Sequence, residues 1–342
     1  MSLKQTLSLY LYASATRLLR PFVSRFLKER VKKGKEDAAR IDERKGIASK
    51  ARPKGKMLWL HAASIGEFMS LMPLIQRLNA QNLNVLVTTG TLTSASIAAQ
   101  RLPNNALHQF VPLDIPAYME RFFDHWQPDL VLLTESEIWP NLISCAVKKA
   151  IPIGIVNGRL SERSFLRWKN APSFIGTLLS KMEFCLTQTR EDETRFTALG
   201  AKQVQHTGNL KFDCKPLPFD EDALESFLDV SRGRKLWLAA STHEGEEALI
   251  VEAHHQIKQK YPDILTVIVP RHPERGTTLA DIMRLNGLDV RLRSKSEMPV
   301  ADTDIYIADT IGELGLFYRA SKAALIGCSL VAPGGGDRKS VV

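Results

Sequence analysis

From residue 57 the chain alternates short apolar runs with stretches of helical period. MLWLHA (57–62) is followed by a turn and a periodic segment over 67–78, and NVLVTTG (84–90) by TSASIAAQRL. DLVLLTE (129–135), IPIGIVN (151–157), MEFCLTQ (182–188) and AKQVQHTG (201–208) continue the series. Most of these runs are apolar at nearly every position. Such strands are buried on both faces, as in a parallel sheet covered by helices. The pattern pauses over 214–233, where Pro, Asp and Glu concentrate, and this stretch reads as an interdomain linker. It restarts with KLWLAAS, LTVIVP (265–270), LDVRLR, DIYIAD (304–309) and AALIGCSL (323–330). The prediction is an α/β chain of two doubly wound domains, 57–213 and 234–342. Ligands of such sheets bind outside the carboxyl ends of the strands, here in a cleft between the halves. After the last strand come PGGG and a polar stretch, DRKSVV, with no helix to cover it, so the second domain reads as incomplete.

The N-terminal pattern is different. Residues 3–27 are apolar but interrupted by Arg17, Arg20 and Arg25, short of the about 20 predominantly apolar residues of a spanning helix. No small-residue cleavage site follows, so a signal peptide is not indicated. A membrane-associated helix is expected over 1–27, its arginines snorkelling or its apolar face lying in the interface; docking on the protein is the other way to use such a helix. Residues 28–56 read as a basic linker.

Charge sharpens this division. The 342 residues carry a net +9, but residues 1–56 hold sixteen Lys/Arg against five Asp/Glu, a net of +11, leaving −2 for the rest. A nucleic-acid enzyme spreads basic residues over a folded groove, whereas a basic stretch beside an apolar one suits anionic lipids. No nucleic-acid partner is expected. The four cysteines have no CxxC spacing and no histidine pattern of a zinc site, so buried thiols in a reducing compartment are expected.

Candidate chemistry gathers where strands end. HAASIGE (61–67) closes the first strand and opens a helix, where Glu67 serves either as a helix N-terminal carboxylate or as a general base. TESEIWPN (134–141) places Glu135 and Glu137 at the end of the third strand of this reading, as a helix-capping loop or as paired acids; no third ligand supports a metal. In GNLKFD (208–213), Lys211 is a surface lysine or a group that neutralises developing negative charge. STHEGEE (241–247) has the character of a capping box. PRHPER (270–275) offers Arg271 and His272 to a phosphate or carboxylate. DTIGEL (309–314) is a glycine-containing helix start able to receive a phosphate. Dinucleotide-binding, P-loop, zincin and serine-hydrolase signatures are all absent from the sequence.

Taken in order, HAASIGE, ESEIWPN, VNGRLSERS, the glutamine of LTQT, GNLKFD, STHEGEE, PRHPER, IGEL and GCSL resemble the bacterial 3-deoxy-D-manno-octulosonic acid (Kdo) transferases. They span roughly 57–330. The resemblance implies two Rossmann-like domains in the GT-B arrangement, with an N-terminal membrane anchor at the cytoplasmic face of the inner membrane. It implies transfer of Kdo from CMP-Kdo to the lipid A precursor, with inversion, no metal and no cofactor. Glu67 would be the base, Glu137 and Lys211 would stabilise the transition state, and Arg271, His272, Ile311, Gly312 and Glu313 would contact CMP. The family continues beyond the glycine-rich turn, and it often carries glycine where this chain has Cys328. Two other readings stand beside this one: a fragment that keeps only acceptor binding, and a GT-B enzyme using another sugar nucleotide.

Overall fold

Two parallel sheets organise the chain, one in each of two units, Met1–Cys214 and Lys215–Val342. The computed structural model describes residues 3–213, 216–231 and 233–331; the turn 333–336 and the polar stretch after it, on which the expectation of an incomplete second domain rests, lie outside the described residues.

In the first unit, α1 (Leu3–Lys32) and a 3-10 helix (Ala38–Lys45) precede the sheet. Then follow β1 (Met57–His61), α2 (Ile65–Ala80), β2 (Asn84–Thr89), α3 (Leu92–Arg101), β3 (Ala106–Phe110) and α4 (Pro116–Trp126). The chain continues with β4 (Leu130–Thr134), α5 (Pro140–Lys148), β5 (Ile153–Gly158), α6 (Glu162–Lys169) and α7 (Pro172–Leu179). It ends with β6 (Phe184–Thr187), α8 (Arg190–Ala198), β7 (Val204–His206) and a 3-10 helix, Leu210–Asp213. Strand order is β3-β2-β1-β4-β5-β6-β7, all parallel. The local signals are those the residues dictate. Ser64, Thr91, Ser161 and Thr189 accept an amide as N-caps, and α4, α5 and α7 begin on proline, whose missing N–H costs nothing there. The core is aromatic under β1: Trp59 lies 4.4 Å from the Phe122 ring and 5.2 Å from Phe123. Burying each such side chain contributes about 1.5–3 kcal/mol.

The second unit contains α9 (Glu221–Val230), β8 (Leu236–Thr242), α10 (Glu246–Lys260), β9 (Leu265–Pro270) and α11 (Gly276–Leu285). It closes with β10 (Val290–Leu292), β11 (Ile305–Ile307), α12 (Leu314–Ala320) and β12 (Ala323–Ile326). The strand order is β10-β11-β9-β8-β12, again parallel. Glu246, buried at the start of α10, accepts the amides of His243, Cys328, Ser329 and Leu330, so one carboxylate gathers the loops that leave β8 and β12. Cys328 holds a left-handed φ of 60°, a conformation that favours glycine.

Three sequence expectations change in detail. TESEIWPN follows the fourth strand, not the third, because β3 was hidden from a hydrophobicity reading by His108 and Gln109. Both are buried and bonded: His108 Nε2 lies 2.9 Å from Thr89 Oγ1, and Gln109 Oε1 accepts from Trp126 Nε1 at 2.8 Å. The basic stretch 28–56 is docked structure in large part. Arg44 bonds both oxygens of buried Glu36 at 3.0 Å and donates to the carbonyls of Val111 and Gly90, while Glu43 accepts the Phe110 amide at 2.7 Å. The acidic stretch 214–233 contains α9, whose Phe227 is buried against Tyr306 and Phe317.

Candidate active site

The topology of the first sheet selects a site. After β1 the chain runs outward through β2 and β3, then returns to lay β4 on the other side of β1. Strand order reverses between β1 and β4, and ligands of such sheets bind at the carboxyl ends of the strands at that point. HAASIGE leaves β1 there and ESEIWPN leaves β4.

Glu67 is fixed by the start of α2. Its Oε1 accepts from Ser64 Oγ at 2.8 Å and its Oε2 from the Ala63 amide at 2.8 Å, while Ser64 Oγ accepts the Glu67 amide. Ser64 thus caps α2, and Glu67 reaches back past it to the amide of the preceding residue. Burial nonetheless holds the Glu67 carboxyl above its usual range; the two hydrogen bonds oppose that shift, and the charges of Glu135 and Glu137 add to it. A carboxylate raised in this way is a better proton acceptor.

Glu135 follows β4 with φ 54°, left-handed for a non-glycine residue, and its Oε1 lies 3.5 Å from Lys211 Nζ. Glu137 accepts from Trp139 Nε1 at 2.7 Å, and the same Oε2 stands 3.6 Å from Nε2 of fully buried His61. Burial pushes the Glu137 carboxyl up, but the neighbouring His61 and the Trp139 donor outweigh it and leave it below the ordinary range. Asp114 fixes the loop from below by accepting the Asn141 and Leu142 amides at the start of α5. Lys211 is held by its own loop. The Leu210 amide donates to Asn157 Oδ1 at 3.1 Å, Asn209 Nδ2 to Gln188 Oε1 at 3.2 Å, and Gln188 Nε2 to the Asn157 carbonyl at 3.0 Å. VNGRL, LTQT and GNLKFD therefore interlock at the ends of β5, β6 and β7. The first unit thus brings Glu67, Glu135, Glu137 and Lys211 together.

Sequence reasoning singled out neither His61 nor Asn157. Asn157 sits in a strand end with φ 52°, a conformation Asn tolerates, and the Asn-Gly pair was the available signal. For His61 the signal was its place two residues after Trp59 on one sheet face.

In the second unit, order reverses between β8 and β12. Arg271 and His272 follow β9, and the His272 ring meets His243, after β8, edge-on at 6.4 Å. Ile311 is 88% exposed, and Gly312, with φ 96°, has open space where a Cβ would stand. Glu313 is not a free acid: Arg293 donates to both its oxygens, at 2.6 and 3.2 Å, and Thr310 donates as well. Arg293 holds its carboxyl below the usual range. Among the described residues, no three His, Cys, Asp or Glu side chains group as metal ligands.

Comparison with known proteins identifies the family. The family model of 3-deoxy-D-manno-octulosonic-acid transferase (kdotransferase) matches residues 39–214. The chain is 36% identical over 331 residues to a probable mitochondrial 3-deoxy-D-manno-octulosonic acid transferase of Arabidopsis thaliana, covering 94% of this chain and 74% of that protein. It is 33% identical to the 3-deoxy-D-manno-octulosonic acid transferase of Haemophilus influenzae, covering 95% and 78%. Among solved structures, UDP-GlcNAc 2-epimerase from Neisseria meningitidis matches with a TM-score of 0.53 at 15% identity, covering 80% of this chain and 78% of that one, a likeness of fold alone. The strand-end motifs, the two doubly wound units and these relatives place the chain in the 3-deoxy-D-manno-octulosonic acid transferase family of glycosyltransferases.

Proposed function

We propose that the chain transfers Kdo from CMP-Kdo to a hydroxyl of the lipid A precursor (lipid IVA), with inversion and without a metal ion, at the cytoplasmic face of the inner membrane. The observation that carries this reading is the setting of Glu67, a carboxylate fixed by two hydrogen bonds and raised by burial at the switch point of the acceptor-side sheet. The acceptor hydroxyl gives its proton to Glu67, and its oxygen bonds to the anomeric carbon. The bond from that carbon to the CMP phosphate breaks, and its electron pair leaves on the phosphate. Glu137, held ionised, faces positive charge developing on the sugar, and Lys211, held by Glu135, faces negative charge. Arg271 and His272 take the phosphate, while Ile311 and Gly312 offer an exposed turn to the nucleotide. Glu313, paired with Arg293, presents no uncompensated charge there.

Membrane association is part of the reading. One face of α1 packs through Val23 and Leu27 on Ile115 and Tyr118, while an adjoining stripe exposes Leu7, Leu11, Leu18, Phe22 and Phe26. No described helix is long and apolar enough to cross a membrane, so the exposed face suits the interface plane, with Arg17, Arg20 and Arg25 at the headgroups.

The test is transfer to lipid IVA with CMP-Kdo generated in situ, read by mass spectrometry. Added Kdo mass is expected, and Glu67→Ala should lower the rate about 10²- to 10⁴-fold. Transfer from a UDP-sugar in place of CMP-Kdo would overturn the donor assignment.

A further inference from the structure

The hydrogen bonds around His61 favour one placement of protons. The Trp59 indole nitrogen can only donate, so Thr88 Oγ1, 2.9 Å away, is its acceptor. The Thr88 hydroxyl must place its own proton, and His61 Nδ1 lies 2.9 Å away. The Thr88 carbonyl, 3.2 Å from Nδ1, already accepts the Ala62 amide at 3.0 Å. A proton on Nδ1 instead of Nε2 would turn a bare Nε2 lone pair toward Glu137 Oε2 at 3.6 Å. Nε2 is fully buried and has no hydrogen-bond partner among the described residues, so two acceptors would face each other away from water. With Thr88 donating to Nδ1, the proton sits on Nε2 and the contact becomes attractive.

We propose that His61, locked by Trp59 and Thr88 with a proton on Nε2, is a positioning residue that joins Trp139 in directing two N–H groups at one oxygen of Glu137 and leaves the other oxygen for substrate. This rests on the role given to Glu137 above. The ring is clamped for the task, packing edge-on against Trp139 at 5.1 Å, while the Thr134 hydroxyl donates to the His61 carbonyl at 2.6 Å. The second unit repeats the device with a different outcome. Trp237 Nε1 donates to Thr266 Oγ1 at 2.6 Å, His254 Nδ1 lies 2.8 Å from that oxygen, and His254 Nε2 lies 3.5 Å from Asp304. There the carboxylate is occupied by Lys258 and the Asp289 amide; at Glu137 no described residue bonds Oε1.

Two readouts test this. In the ¹⁵N-histidine-labelled wild-type chain, with His61 assigned through its proximity to the Trp139 indole proton, Nε2 should carry a proton and Nδ1 should carry none. A proton found on Nδ1 overturns the proposal. In the transfer assay, Asn at 61 can offer an amide only where Nδ1 stands, whereas Gln reaches the Nε2 position. His61→Asn should lose about ten- to hundredfold in kcat with KM within about twofold, and His61→Gln should recover most of the loss. Wild-type kcat in His61→Asn, or equal losses in both variants, would also overturn it. Full transfer by Glu137→Gln, with the Nε2 proton observed, would instead remove the role of Glu137 and leave the tautomer standing.

Discussion

Glu67 is set by opposing influences, and their balance has a kinetic signature. Two donors favour its ionised form, yet burial and the charges of Glu135 and Glu137 prevail and raise its pKa. A base must be ionised to act, so the acid limb of kcat should lie above the ordinary glutamate range. Glu135→Gln removes one of the raising charges and should move that limb to lower pH, whatever it does to the rate through loss of the Lys211 contact. A limb that stays in place in Glu135→Gln would show that another group titrates there. For stability the sign is the reverse of a salt-bridged acid: the contribution from Glu67 is present at low pH and is lost as pH rises through its raised folded pKa. At this scale the sequence displayed the acids but not their partners. Glu137 and Trp139 are near neighbours in sequence, whereas His61 reaches Glu137 only because β1 and β4 lie side by side.

Elements were legible where apolar runs were long and bounded by caps or prolines. They were illegible where polar side chains are satisfied by distant partners. β3 and the 3-10 helix Ala38–Lys45 are of this kind, since His108, Gln109, Glu43 and Arg44 look solvated in sequence and are buried in the fold. The same is true of α9, whose acidic face masks the buried Phe227. Arg44 tests how far the segment before β1 belongs to the first unit. Arg44→Ala leaves Glu36 buried with only Arg30 opposite, and should destabilise by about 3 kcal/mol in urea unfolding. Lys148→Ala, which breaks an exposed pair with Glu120, should cost less than about 1 kcal/mol. Equal effects of the two would mean that the segment is not integral to the unit.

At the scale of the molecule, the N-terminal helix is tied to the loop of the proposed site. Tyr12 of α1 donates to Asp114, and Asp114 holds the start of α5 directly after the Glu135–Trp139 loop. The exposed apolar stripe of α1 lies beside the face that makes these contacts and shares none of its residues, so the helix can lie on lipid without giving up its packing. The double variant Leu18→Glu, Phe22→Glu should lose at least about tenfold in partitioning to phosphatidylglycerol vesicles, with an unchanged circular dichroism spectrum. Sedimentation with vesicles at wild-type levels would remove the membrane role of that face. The two doubly wound sheets were legible in the alternation of apolar runs and helical stretches. The switch point between β1 and β4 required strand order, which no single run reveals.

In the proposed reaction everything turns on Glu67 taking the acceptor proton. The measurement that reaches it most directly is the rate of Kdo addition to lipid IVA by the wild-type and Glu67→Ala chains, with circular dichroism on both. Kdo mass is expected on the acceptor with the wild-type chain, and a loss of about 10² or more in the equally folded variant. Transfer at the wild-type rate by Glu67→Ala would contradict it.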